Sequence, residues 1–425
     1  MRKFLLIVLV IVFITSFTAC SKKGENNMEN NSDQNTSVSS SKGEGVENSS
    51  EQSQNTSVST SGGDVSSLLA PSRVIATTGG VSEKRTLANT YKCLTEKKQL
   101  NILYIGGSLT VGTGSTNTEC WRAYTTKWLK ETYPDAAINE KNVAVGGTGS
   151  LFGLARTKRD VIAHKPDLVF IEFAVNDDYL GLTEAQAATY MEGMVRQINE
   201  ALPSTDIIFV LTTDRSRVGK TYITRDAHIK IADFYGVPYI DAGAALVEPV
   251  KATSWTEYAV DVVHLNAKGY RFYADEVIKN LKMLLADAKG KAGGAHKFPA
   301  GFASSNPATT VTLMGADAIA ALNSKDWRSI PGKAVSDSGQ NCAMPQTTDA
   351  TIKFEFDGTV LSVVGQKSAG GEVIFTIDGV VAKKLNNAYT KEGFITVVDN
   401  LKPGHHTVEI KVTAKCLKID GFMVG

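Results

Sequence analysis

Residues 101–110 read Asn101-Ile102-Leu103-Tyr104-Ile105-Gly106-Gly107-Ser108-Leu109-Thr110. The apolar run from Ile102 to Ile105, closed by glycine, has the length and composition of a buried strand. The paired glycines then allow a tight turn, which sets the Ser108 hydroxyl at a strand end where it can face a cleft. Four further runs of the same kind follow at 137–145, 167–175, 206–211 and 237–240. Helical patterns lie between them. Trp121, Tyr124, Trp128 and Leu129 recur at helical spacing, and Thr183 is placed to cap a helix over 184–201. Residues 266–288 carry Tyr270, Phe272, Val277, Leu281 and Leu285 and read as a closing helix. Strand–helix alternation predicts an α/β three-layer sandwich around a central parallel sheet, with its chemistry at the carboxyl ends of the strands.

Those ends carry four suggestive groups. The first is Ser108. After the second strand comes Asn142-Val143-Ala144-Val145-Gly146-Gly147-Thr148-Gly149, whose glycines leave backbone N–H groups free. The third strand runs out at Ala174-Val175-Asn176-Asp177, a side-chain amide on the same edge, and Asp261-Val262-Val263-His264 precedes the closing helix. Acyl transfer needs a nucleophile, a base, a group that orients the base, and donors for the oxyanion. All four requirements have a candidate here.

In their order Ser, Gly, Asn and Asp-x-x-His, these blocks resemble the SGNH, or GDSL-type, esterases and acylhydrolases, over about residues 100–288. The resemblance implies a flavodoxin-like fold with Ser108 as nucleophile, His264 as base and Asp261 orienting it. It also implies an oxyanion hole made of the Ser108 and Gly147 N–H groups and the Asn176 amide. The sequence departs from the family at Gly107, where Gly-Asp-Ser-Leu would have aspartate. Such GGS variants resemble a branch attached to carbohydrate-active proteins.

Other residues admit blander readings. Of six histidines, His164 sits at a helix end, and His228 reads as a solvated position on a helix. Only His264 has a carboxylate at an orienting distance. Glu172 lies in an apolar run, as a brace for the site or as a core group satisfied by a partner. Trp255 and Tyr258 read either as a sugar-stacking wall or as packing beneath the loop. Cys93 with Cys120, and Cys342 with Cys416, read either as disulfides or as buried thiols. No metal-ligating motif is present, and the glycines after the first strand lack a phosphate-binding lysine, so neither metal nor nucleotide cofactor is implied.

Beyond residues 289–303, a Gly- and Lys-rich linker, the periodicity becomes two. Alternating runs at 351–356, 360–364, 373–377, 394–398 and 407–412, with Asp357-Gly358 and Asp378-Gly379 as turns, predict a small all-β sandwich over 304–425. This module resembles the jelly-roll domains that accompany some SGNH carbohydrate esterases.

At the other end, Arg2-Lys3 and an apolar run to Phe17 precede Thr18-Ala19-Cys20, the layout of an export signal over 1–19. Its ending resembles a bacterial lipobox that would leave a lipid on Cys20. Ordinary cleavage and an uncleaved anchor are the alternatives, and all three place the folded domains outside the cytoplasm. Residues 20–63 are Ser-, Asn- and Gln-rich without an aromatic side chain, the composition of a disordered tether, and 64–99 lead into the first strand. With 45 Lys plus Arg against 44 Asp plus Glu, the net charge of +1 offers no cation excess for nucleic acid. The expectation is a membrane-tethered extracellular esterase that removes short acyl groups, O-acetyl above all, from a polysaccharide. An O-acyltransferase with the same residues and a glycan-binding lipoprotein with a degenerate domain are the alternatives.

Overall fold

A computed structural model of the chain describes residues 65–70, 80, 83–297, 299, 301, 311–332 and 341–425. The expected signal segment, Cys20 and the tether lie outside these residues.

Among the described residues, β1 (Gln99–Gly106), β2 (Ala137–Asn142), β3 (Leu168–Glu172), β4 (Asp206–Leu211) and β5 (Tyr239–Asp241) form a parallel sheet. Its order is β2-β1-β3-β4-β5, the flavodoxin-like arrangement, and it reverses direction between β1 and β3. The first strand shows why its run is apolar throughout. Ile102 and Tyr104 enter one core, Leu103 and Ile105 the other.

The helices are α1 (Ala88–Lys92), α2 (Ser108–Val111), α3 (Trp121–Thr132), α4 (Ser150–Arg156), α5 (Ala174–Tyr179), α6 (Glu184–Ala201), α7 (Ile223–Tyr235), α8 (Ala242–Ala245), α9 (Val247–Ala252) and α10 (Ala267–Ala288). Side chains of α3 and α10 close the first core, and those of α4, α6 and α7 the second. Thr183 caps α6 as expected. Its hydroxyl accepts from Gln186 N–H while the Gln186 side chain accepts from Thr183 N–H.

Two strands are shorter than their apolar runs. The second stops at Asn142, and the third stops at Glu172 because the chain winds into α5. That turn brings Asp177 within 2.9 Å of His228 Nε2 and 2.7 Å of the Ser150 N–H, partners that satisfy a fully buried carboxylate.

The remaining strands are β6 (Thr312–Gly315), β7 (Trp327–Pro331), β8 (Asn341–Pro345), β9 (Ala350–Gly358), β10 (Leu361–Lys367), β11 (Val373–Ile377), β12 (Val380–Leu385), β13 (Lys391–Val398), β14 (Gly404–Val412) and β15 (Leu417–Val424), with α11 (Ala316–Leu322) between β6 and β7. They form two antiparallel sheets. One has the order β13-β10-β15-β8-β7 with β6 also on β15, the other β12-β11-β14-β9. The two Asp-Gly pairs behave differently. Asp378-Gly379 closes the β11–β12 hairpin, both residues at positive φ. Asp357-Gly358 does not form the expected hairpin, because β9 and β10 belong to opposite sheets.

Leu361 and Val363 of β10 and Phe422 of β15 face the sandwich core, whereas Val364 and Met423 face the α/β body. There they join Val311, Val360 and Phe394 against Phe152 and the residues of α6, the rings of Phe152 and Phe394 being 5.2 Å apart. The expected linker is fastened as well. Asn89 exchanges two hydrogen bonds with Gly294, and His296 Nε2 lies 2.8 Å from Asp206, whose other oxygen accepts from Thr90 N–H and hydroxyl. The lead-in segment touches both halves. Leu69 bridges Leu401 of the sandwich, and Arg85 N–H donates to Gly236 O of the body at 2.7 Å.

Candidate active site

The turn after β1 is built for close approach. A Cβ on Gly106 would lie 2.4 Å from Thr110 Oγ1, and one on Gly107 only 2.3 Å from Asn176 Oδ1. Gly107 takes extended backbone before Ser108 opens α2, so the serine stands at a strand-to-helix corner. His264 reaches it from the loop ahead of α10, with Nε2 2.9 Å from Ser108 Oγ. The other ring nitrogen, Nδ1, lies 2.7 Å from Asp261 Oδ2. An ionised carboxylate only accepts, so Nδ1 carries the proton and Nε2 offers its lone pair to the serine hydroxyl.

The Asp261 loop is itself braced. Asp261 Oδ1 accepts from the N–H groups of Val263 and His264, both at 2.7 Å. Partial burial works against ionisation of Asp261, but these donors and the imidazole outweigh it and hold its carboxyl below the usual carboxylate range. Trp255 Nε1 donates to Asp261 O at 2.6 Å. Trp255 and Tyr258 are both buried in the core beneath the loop, so they are packing residues and not a sugar wall.

The glycine loop and α5 both border the serine turn. A Cβ on Gly146 would lie 3.8 Å from Ser108 Cβ, so the glycine loop passes beside the nucleophile position, and Gly147 has φ +71°. Asn176 lies in the first turn of α5 against Gly107. Among the described residues, the Ser108 and Gly147 N–H groups and the Asn176 amide have no protein acceptor. They are free to meet a developing oxyanion. Thus Ser108, His264 and Asp261 are joined by hydrogen bonds, Asn176 lies against the neighbouring Gly107 and Gly147 follows the glycine beside Ser108, while Cys20 lies outside the described residues.

Three supporting residues surround this set. His228 is not the solvated residue expected but is 1% exposed and paired with Asp177. The signal was present in the sequence, since His228, Ile231, Ala232 and Tyr235 form one helical stripe. Asp177, which no sequence motif singled out, joins α7 to α5 and, through Ser150, to the glycine loop. Glu172 is the brace. Thr110 Oγ1 and Thr212 Oγ1 each donate to it at 2.9 Å, and burial still raises its carboxyl above the usual range. The four cysteines among the described residues, Cys93, Cys120, Cys342 and Cys416, are buried thiols.

Residues 104–272 match the GDSL-like lipase/acylhydrolase family. The α/β body is a GDSL-like acylhydrolase domain. Its chemistry is therefore carboxylic ester hydrolysis. Among solved structures, a two-domain esterase (CEX) active on acetylated mannans, co-crystallized with mannopentaose, is similar with a TM-score of 0.64 and 21% identity. The match covers 81% of this chain and 96% of that chain. A second structure of that esterase gives 0.66 at 22% identity over 81% of this chain and 97% of that one. At such identity the likeness is one of fold, and its coverage extends past the acylhydrolase domain into the sandwich. No curated protein matches the chain significantly in sequence.

Proposed function

We propose that the protein is an exported, lipid-tethered carbohydrate esterase that removes short acyl groups, O-acetyl first, from a polysaccharide. The observation that carries the chemistry is the continuous Asp261–His264–Ser108 hydrogen-bond chain. Ser108 Oγ attacks the ester carbonyl as His264 Nε2 takes its proton. The oxyanion is held by the Ser108 and Gly147 N–H groups and the Asn176 amide, and the proton then passes to the departing sugar oxygen. Water, activated by the same imidazole, releases the acid from the acyl-enzyme.

Support for a carbohydrate substrate comes from the acetylated-mannan esterase whose fold this chain shares over both halves. Support for a short acyl group comes from the loops that meet Ser108. Residues 112–117 and 146–150 are Gly, Thr, Ser and Asn throughout, so neither segment itself supplies an apolar side chain to a longer acyl group. The lipid on Cys20 rests on the sequence of residues 1–20.

The test is product analysis with purified residues 64–425. Acetate should be released from acetylated oligosaccharides, and Ser108→Ala should abolish release without altering the melting temperature. A fully active Ser108→Ala variant would place the nucleophile elsewhere. A parent protein inactive on every ester would end the enzymatic reading. For the tether, Cys20→Ser should move the full-length protein from the membrane fraction to the medium or periplasm.

A further inference from the structure

The hydrolytic chemistry leaves a set of exposed apolar side chains unused. Tyr179, Leu180, Val260 and Val262 are 53, 41, 57 and 53% exposed. They belong to the two segments that carry Asn176 and His264. Tyr179 follows Asn176 by three positions in α5, so the two share a helix side with Cβ atoms roughly 5–6 Å apart. Leu180 covers the glycine loop, where a Cβ on Gly149 would lie 2.6 Å from its Cδ1.

The Tyr179 ring is held in place. The Arg217 guanidinium lies over it, 4.3 Å from the centroid. Arg217 is itself fixed by ion pairs to Asp178 and to the buried Asp214, which also accepts from Ser216 N–H and hydroxyl. The same loop is tied to the histidine loop by Arg215 N–H donating to Val262 O at 2.9 Å. An exposed aromatic ring on the Asn176 segment is thus oriented by a cation that two carboxylates lock, on a loop bonded to the His264 segment.

We infer that Tyr179, backed by Arg217, is the stacking platform for a sugar ring next to the scissile ester. A pyranose has an apolar face of C–H groups and a polar rim of hydroxyls. A half-exposed aromatic ring matches the face, while the rim stays in water. The platform loses little entropy on binding, because its ring is already ordered. It rests on the carbohydrate-esterase reading and names the residue that recognises the sugar.

Steady-state kinetics test it with two substrates, ethyl acetate, which has no ring, and an acetylated oligosaccharide. For Tyr179→Ala, kcat/KM on ethyl acetate should stay within twofold of the parent. KM on the oligosaccharide should rise about tenfold, the equivalent of ~1.4 kcal/mol, with kcat little changed. Tyr179→Phe should keep the parent KM, since the ring and not the hydroxyl carries the contact. If Tyr179→Ala lowers both substrates alike, Tyr179 only supports α5, and if it alters neither, the sugar lies elsewhere. Either result overturns the platform alone. A parent active on ethyl acetate but on no acetylated glycan overturns the carbohydrate reading, and the platform with it.

Discussion

Gly107 stands where the family's first block carries aspartate, and the structure gives the glycine a positive role. Asn176 Oδ1 occupies the space a Cβ would need. Restoring the family residue in Gly107→Asp should therefore lower kcat rather than raise it, because the amide must swing away from the oxyanion. The loss should approach the roughly 10²–10³ that removal of one such donor costs. If the effect runs through Asn176, the double variant with Asn176→Ala will be no slower than Asn176→Ala alone. Glu172 makes a second prediction. Its folded pKa lies above the usual value of 4.5, so folding takes up a proton just above that pH. Its contribution to stability is full below 4.5 and declines as pH rises toward the folded value. Glu172→Gln removes that decline, so its melting temperature should fall less than the parent's between pH 4.5 and 7. The candidate site was legible because Ser108, Asn176, Asp261 and His264 each sit in a short local block. The Asp177–His228 pair was not, because its members lie 51 residues apart on different helices, and the stripe that marks His228 as buried does not name its partner.

The elements show where local patterns stop being informative. The apolar run through Val175 suggested a long third strand, yet its last residues turn off the sheet into α5 to satisfy Asp177. Periodicity cannot separate a buried strand end from a short buried helix. The capping box at Thr183 was legible because every participant lies within one turn. The two Asp-Gly pairs read alike in sequence, but only one makes a hairpin, since strand partners are chosen by distant residues. They also differ in tolerance. Gly379 has φ +81° with nothing near a Cβ, so Gly379→Ala should cost about 1–2 kcal/mol of backbone strain. At Gly358 a Cβ would sit 1.9 Å from the Gly425 carbonyl carbon, a backbone clash added to its positive φ. Gly358→Ala should lower the thermal midpoint well beyond Gly379→Ala, as circular dichroism melts would show; equal midpoints would refute the distinction.

For the whole molecule, the order of an α/β body followed by a β-sandwich was legible, but their union was not. Residues 360–364 read as another short strand, although Val360 and Val364 face the body while Leu361 and Val363 face the sandwich core. A strand buried on both sides signals a neighbour without naming it. The Gly- and Lys-rich composition of residues 289–303 likewise gave no sign that His296 meets Asp206. Because the halves share one core, calorimetry on residues 64–425 should show a single cooperative transition. Two resolved transitions would mean the shared core contributes little. Residues 64–300 alone would expose Phe152 and the outer side of α6, and should aggregate on purification.

The bridge between Leu69 and Leu401 sets a schedule. A growing chain meets the early half of that contact long before the late half exists, since Asn400 bonds Ala70 across 330 positions. Moreover, β15 lies between β10 and β8, so the six-stranded sheet lacks its middle until the final described strand emerges. Residues 65–70 must wait for that partner while everything between is synthesised. Closing so large a loop is a late event, with an entropic cost that rises only slowly with length. Docking of residues 65–70 thus reports that the strands around Leu401 are in place.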